Sequence, residues 1–148
     1  MALELVVMVG LQGSGKSTWV REHLPATHVV VSKDHWPHAR HREARQRRTV
    51  DDALAAGCRV VVDNTNVSPH DRAPLIEIAR ARSAEVRAVY LDVPLSVCLA
   101  RNADRVGCAR VPVIGVYATQ NRMVPPALDE GFDRVDVVRP GTGRRPAR

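Results

Sequence analysis

Short apolar runs rich in β-branched residues recur at positions 5–9, 28–31, 60–62, 86–91 and 135–138. Each is too short for a core helix and is bounded by polar or turn-forming residues, which is the pattern of strands buried on both faces. The stretches between them predict helices over 17–23, 39–56 and 95–105, with Gly57 as a C′ residue after the second and Pro94 ahead of the third. Ser68-Pro69-His70-Asp71 offers a capping box for a further helix. Pro74 opposes so early a start, which leaves it open between 68 and 73. Strands alternating with helices predict an α/β domain whose parallel sheet is covered on both faces. Pro125-Pro126 marks a turn before the last strand, and residues 140–148 predict a basic, disordered tail behind a domain of residues 1–139.

Composition narrows this frame. A chain of 148 residues with 45% hydrophobic content suits one globular domain. Glu4 and Gln12 interrupt the first apolar stretch, and no segment approaches the ~20 residues of a membrane span, so a cytoplasmic location without a membrane partner is expected. Cys58, Cys98 and Cys108 are odd in number and form no Cys-x-x-Cys pair, which suggests neither a disulfide framework nor a zinc site. The net charge of +6 and pI near 10.0 favour an acidic partner, a nucleic acid or a nucleotide. Only Lys16 and Lys33 are lysines; the remaining basic residues are arginines.

Ligands of such sheets bind beyond the carboxyl ends of the strands, and the chemistry collects there. Gly10-Leu11-Gln12-Gly13-Ser14-Gly15-Lys16-Ser17 follows the first strand and opens the first helix, a complete phosphate-binding loop. Its glycines let successive N–H groups converge on a phosphate at a helix N-terminus. Lys16 reaches the β- and γ-phosphates, and the Ser17 hydroxyl is a Mg²⁺ ligand. Asp34, just after the second strand, is the candidate general base for an acceptor hydroxyl; the alternative is that it only caps the next helix.

The run 60–62 followed by Asp63 looks like a Walker B strand whose terminal carboxylate holds Mg²⁺; the alternative is that Asp63 and Asn64 only satisfy a turn. Asn64 follows where a hydrolytic ATPase usually has an acid, which shifts weight toward transfer onto a bound acceptor. Arg101 and Arg105, one helical turn apart, form a candidate lid over a triphosphate, or else a solvated helix end. Arg40, Arg42, Arg45, Arg47 and Arg48 crowd one helix as a solvated face or a phosphate-tracking surface. His35, His38 and His41 lack the company of a metal site. Trp19 reads as core, and Trp36 as a base-stacking or a packing residue.

Together, residues 13–19, Lys33-Asp34, Asp63-Asn64-Thr65-Asn66, the arginine pair and residues 126–132 resemble the kinase domain of polynucleotide 5′-hydroxyl kinases, phage-type and eukaryotic. The resemblance covers residues 3–139. It implies a P-loop kinase three-layer sandwich: a parallel five-stranded sheet flanked by helices, with a small lid. It further implies that residues 10–18 bind ATP and Mg²⁺, with Thr18 completing the loop; that Ser17 and Asp63 serve the metal and Asp34 is the base; and that Arg105, backed by Arg101, is the lid arginine. Asp63, Asn64, Thr65 and Asn66 would line the acceptor site. The acceptor would be single-stranded or end-exposed DNA or RNA, with no obligatory protein partner. One departure concerns acceptor grip: phage-type members carry an arginine where Pro37 stands, and Arg40 or Arg42 would have to substitute. A small-molecule kinase and a non-catalytic ATP-binding switch remain open as alternatives.

Overall fold

The computed structural model describes residues 2–24, 26–140 and 143–146. Strands β1 (Glu4–Val9), β2 (Val29–Val31), β3 (Val60–Val62), β4 (Glu85–Leu91), β5 (Arg134–Arg139) and β6 (Gly143–Pro146) form one sheet in the order β2-β3-β1-β4-β5-β6. The first five are mutually parallel, and β6 pairs antiparallel with β5. The five-stranded parallel core is therefore present. The sixth strand lies within the stretch for which the sequence predicts a tail.

Helices α1 (Lys16–His23), α2 (Arg42–Ala55), α3 (Pro69–Ala81), α4 (Leu95–Ala103) and α5 (Val113–Arg122) complete the fold. The period-2 geometry of β1 explains its layers. Leu5, Val7 and Val9 pack on one face with Val50 and Leu54 of α2 and Leu75, Ile76 and Ala79 of α3. Val6 and Met8 pack on the other with Trp19 and Val20 of α1 and Cys98 of α4. All five β1 residues from Leu5 to Val9 are 0% exposed, so a polar residue anywhere in this strand would face apolar neighbours. Full burial of each such side chain is worth about 1.5–3 kcal/mol.

Local chemistry sets the helix limits. Ser68 Oγ accepts from the Asp71 N–H at 3.2 Å and Pro69 occupies the first turn, so α3 starts early and runs through Pro74. There the proline forfeits only the hydrogen bond to the His70 carbonyl. Helix α2 begins at Arg42, later than the pattern predicts, because residues 37–41 form a turn in which Ala39 N–H donates to the Trp36 carbonyl and His41 adopts φ 55°.

From β1 the chain moves to one side of the sheet; after β3 it crosses back over β1 to β4. The carboxyl ends of β1 and β3 thus lie at a reversal of strand order, where open α/β sheets bind ligands. Register brings Val7, Val62 and Val31 level across β1, β3 and β2, which sets Ser32 and Asp63 side by side next to the phosphate loop.

Candidate active site

The loop of residues 10–15 leaves β1 and turns into α1, with Gly13 and Gly15 at φ 80° and 96°. Gly13 has a second constraint: a Cβ there would lie 2.4 Å from the Cys98 carbonyl oxygen of α4. As N-cap of α1, Gly15 contributes no side-chain acceptor, so the first-turn N–H groups are available to an anion. Gln12 is anchored outside the loop, its Nε2 donating to Thr119 Oγ1 of α5 at 3.0 Å.

Lys16 Nζ donates to the carbonyls of Gly10 at 3.0 Å and Leu11 at 2.7 Å, folding back across the loop mouth. Burial pushes its ammonium down from 10.5 to about 8, with Arg105 acting in the same direction and the charges of Asp63 and Asp34 opposing. Lys16 thus sits within reach of the charges of Arg105, Asp63 and Asp34. Ser17 Oγ donates to Asp63 Oδ2 at 2.7 Å. Two adjacent hard oxygen donors suit Mg²⁺, which keeps few protein ligands and fills its octahedron with substrate phosphates and water. Among the described residues no group of three or more His, Cys, Asp and Glu side chains could hold a metal, so a cation at Ser17 and Asp63 would depend on phosphate oxygens for further ligands.

Asp34 stands in the single 3₁₀ turn Lys33–His35 after β2. The cap of that turn is Ser32, whose Oγ accepts from the Asp34 N–H at 3.2 Å; the residue itself is exposed and near enough for its charge to act on Lys16. The helix that follows, α2, has His41 and not Asp34 as its N-cap, so the capping alternative does not apply.

The segment 63–66 is braced from inside. Asn64 Oδ1 accepts from the Lys33 N–H at 3.0 Å and the Ser32 hydroxyl at 3.3 Å, while its Nδ2 donates to Gln46 of α2 at 2.5 Å. The Thr65 carbonyl accepts from the Gly10 N–H at 3.1 Å. Asn66 is buried at φ 45° and donates to the Met8 carbonyl at 2.8 Å. These amides knit the ends of β1, β2 and β3 together.

Arg101 projects from the last turn of α4, whereas Arg105 lies two residues beyond its end, because the helix stops at Ala103 with Asp104 as its C-cap and not at 105 as the pattern predicts. Arg101 Nη1 donates to the Ser14 carbonyl at 3.2 Å, and Arg105 Nη1 to the Ala109 carbonyl at 3.3 Å. Both line a cavity of about 410 Å³ beside Gly13–Gly15, walled also by Thr18, Trp19 and Glu22 of α1 and by residues 138–140. The size is that of a small-molecule site. Asn102, 1% exposed, pins the lid's return: its Nδ2 donates to the Val111 carbonyl at 2.7 Å and its Oδ1 accepts from the Val111 N–H at 2.9 Å. Across the site, Arg40 is exposed, Arg42 reaches the Lys33 carbonyl, and Arg45 covers the Trp36 ring at 4.5 Å. Trp36 thereby packs against the core under a guanidinium, and Trp19, buried and stacked on His23, is core as its pattern predicts.

Sequence reasoning missed Asn102, Gln46, Thr119 and the pair Arg72–Glu130. Gln46, Thr119 and the Arg72–Glu130 pair act through partners 18, 107 and 58 residues away, and Asn102 through Val111 nine residues on, so none forms a contiguous motif.

A family model described as an AAA domain matches residues 5–125, most of the chain. The chain belongs to this AAA-domain family. Two relatives bear on which branch of the family it resembles. The bifunctional polynucleotide phosphatase/kinase of Schizosaccharomyces pombe is 27% identical over 139 residues, covering 91% of this chain and 33% of that protein. An Acanthamoeba polyphaga mimivirus protein that carries the same name provisionally is 28% identical over 144 residues, covering 91% and 33%. The chain spans about a third of the length of both relatives. Among solved structures, a sugar kinase from Janibacter sp. HTCC2649 superposes with a TM-score of 0.68 at 19% identity, over 94% of this chain and 86% of that one. The resemblance to polynucleotide kinases is thus matched by relatives of that name, and the AAA-domain fold here is the P-loop kinase fold. No helix among the described residues is long and apolar enough to cross a membrane.

Proposed function

We propose that this AAA-domain protein transfers the γ-phosphate of ATP to the 5′-hydroxyl of single-stranded or end-exposed DNA or RNA. The observation that carries the reading is the setting of Asp34. It lies at the entrance to α2, where Arg40, Arg42, Arg45, Arg47 and Arg48 are all exposed, and its charge acts on Lys16 on the other side. An acceptor held there would have a polyanionic backbone to offer the arginines and a terminal hydroxyl to offer the carboxylate.

In this reading the nucleoside occupies the cavity between Arg101, Arg105 and α1, and its phosphates lie in the loop of residues 10–18. Lys16 moves its ammonium from the Gly10 and Leu11 carbonyls onto the β- and γ-phosphates. Ser17 and Asp63 would hold a Mg²⁺ ion, which when bound would supply neutralisation of the phosphate charge. Arg105 and Arg101 balance the charge that spreads over the equatorial oxygens as the phosphoryl group transfers. Asp34 orients the acceptor hydroxyl in line and accepts its proton late. Asn64, Thr65 and Asn66 serve this site by fixing the position of Asp63.

The test is incubation with γ-labelled ATP, Mg²⁺ and 5′-hydroxyl DNA and RNA oligonucleotides over a range of salt. Label at the 5′ end is expected, with acceptor affinity falling as roughly the second power of salt concentration if three phosphates are neutralised. Transfer to a sugar or nucleoside, with none to either oligonucleotide, would replace the acceptor class and leave the phosphotransfer chemistry in place.

A further inference from the structure

Arg72 on α3 is fully buried and is the largest such side chain among the described residues. Its Nε and Nη2 fork onto Glu130 Oε1 and Oε2 at 2.8 and 2.9 Å, and its Nη1 donates to the Asn66 carbonyl at 2.8 Å. Glu130 Oε2 also accepts from the Ala127 N–H at 2.9 Å, so the carboxylate is itself tied into its own turn. We propose that the Arg72–Glu130 pair is a positioning element of the phosphotransfer site, setting Asp63 against Ser17 through the backbone of Asn66.

Asn66 lies three residues after Asp63 and holds a left-handed conformation at φ 45°. A non-glycine residue keeps such a conformation when its surroundings over-determine it. Here the carbonyl is held by Arg72 and the side-chain amide by the Met8 carbonyl, at 2.8 Å each. One residue earlier, the Thr65 carbonyl takes the Gly10 N–H. The segment from Asp63 to Asn66 is thus fastened to the phosphate loop at one side and to Arg72 at the other. Rotation of the Asn66 peptide would swing Asp63 relative to Ser17, and the buried guanidinium prevents it.

A buried ion pair is a poor device for stability, since well-packed apolar residues of similar volume often replace one without loss. They cannot donate to a carbonyl. The role left to the pair is geometry at Asn66, and this distinguishes it from a structural staple.

The inference rests on the Mg²⁺–ATP placement above and not on the identity of the acceptor. Its test compares wild type, Arg72→Lys, the double variant Arg72→Met with Glu130→Leu, and Leu54→Ala, which weakens the core on α2 away from the site. For each, the thermal midpoint and the Mg²⁺ concentration giving half-maximal binding of a fluorescent ATP analogue are measured. The double variant should melt close to wild type yet need about tenfold or more Mg²⁺, the usual penalty for disturbing groups that orient metal ligands. Arg72→Lys, able to serve Asn66 or Glu130 but not both, should fall between. Leu54→Ala should lower the midpoint and leave the Mg²⁺ requirement unchanged. An unchanged requirement in either folded Arg72 variant, or an equal rise in Leu54→Ala, overturns the proposal. Failure of wild type to bind the analogue with Mg²⁺ would instead remove the functional reading beneath it.

Discussion

Ser17 Oγ donates to Asp63 Oδ2 across 2.7 Å, joining the first turn of α1 to the residue that follows β3. The hydroxyl and the carboxylate come from positions 46 residues apart, and only the parallel pairing of β1 with β3 brings them together. If they share a cation, Asp63→Asn keeps an acceptor for the hydroxyl but removes the charge. ATP binding in the presence of a chelator should be unchanged, and its enhancement by Mg²⁺ should weaken about 10–100-fold. Paired calorimetric titrations with and without Mg²⁺ check this.

Lys16 gives the site a pH dependence whose sign is set by burial. Its ammonium is lowered to about 8, so the free protein loses that charge as pH rises through about 8. Phosphate oxygens beside the nitrogen favour the charged form, so nucleotide binding takes up a proton above that pH. The ATP dissociation constant should be flat below pH 8 and rise by up to about tenfold per pH unit above it. Titrations from about pH 7 to about pH 9.5 decide it, and a flat profile across that range would contradict the burial described for Lys16.

Asp34→Asn separates binding from transfer. The substitution leaves the Ser32 cap and the Lys16 contacts in place, because the cap uses the backbone N–H of residue 34. ATP affinity should hold while single-turnover transfer to a 5′-hydroxyl oligonucleotide drops by about 10²–10⁴-fold. Equal transfer by variant and wild type would remove Asp34 from the chemistry.

Asn102→Ala strips both side-chain partners from the half-buried backbone of Val111. Leaving such groups unsatisfied costs about 1–3 kcal/mol. The loss is expected to fall on the lid, so limited proteolysis between residues 104 and 111 should speed up well before the sheet unfolds. Uniform cleavage along the chain would show that the clamp serves the whole domain instead.

Gly13→Ala combines a positive φ with a Cβ 2.4 Å from the Cys98 carbonyl. Strain of this kind is worth about 1–3 kcal/mol before any shift of α4 is counted. The expected result is a lower thermal midpoint together with loss of nucleotide binding, whereas Gly57→Ala, with open space around its Cβ, should change only the former.

Where side-chain pattern reflects burial directly, the fold was legible. Positions 5–9 and 60–62 are continuous apolar runs because both faces of those strands are covered, and the phosphate loop announces itself by contiguous residues. Helix α5 went unread for the opposite reason. Val113, Ile114 and Tyr117 are 55, 80 and 46% exposed while Val116 and Thr119 are buried, so most of its apolar positions do not mark the packed face. The acids and amides after β3 read as ligand-facing, yet Asn64 and Asn66 spend their polar atoms on Gln46, Lys33 and Met8. Arg72 and Glu130 are 58 positions apart and could be matched only once α3 and the turn at 127–130 had been placed in space.

Gly13 against the Cys98 carbonyl, and Arg101 on the Ser14 carbonyl, make the wall of the cavity and the floor of the loop a single piece. A nucleotide entering it meets donors whose ordering cost was met during folding, so little of its binding free energy goes into arranging them. On the opposite side Asp34 and the arginines of α2 stand exposed, with the turn that carries Asp34 tied to α2 mainly by side chains at the surface. The division makes the phosphate-loop half of this protein a lock cut in advance, and under the proposed reaction it leaves adaptation to the half that would receive the acceptor.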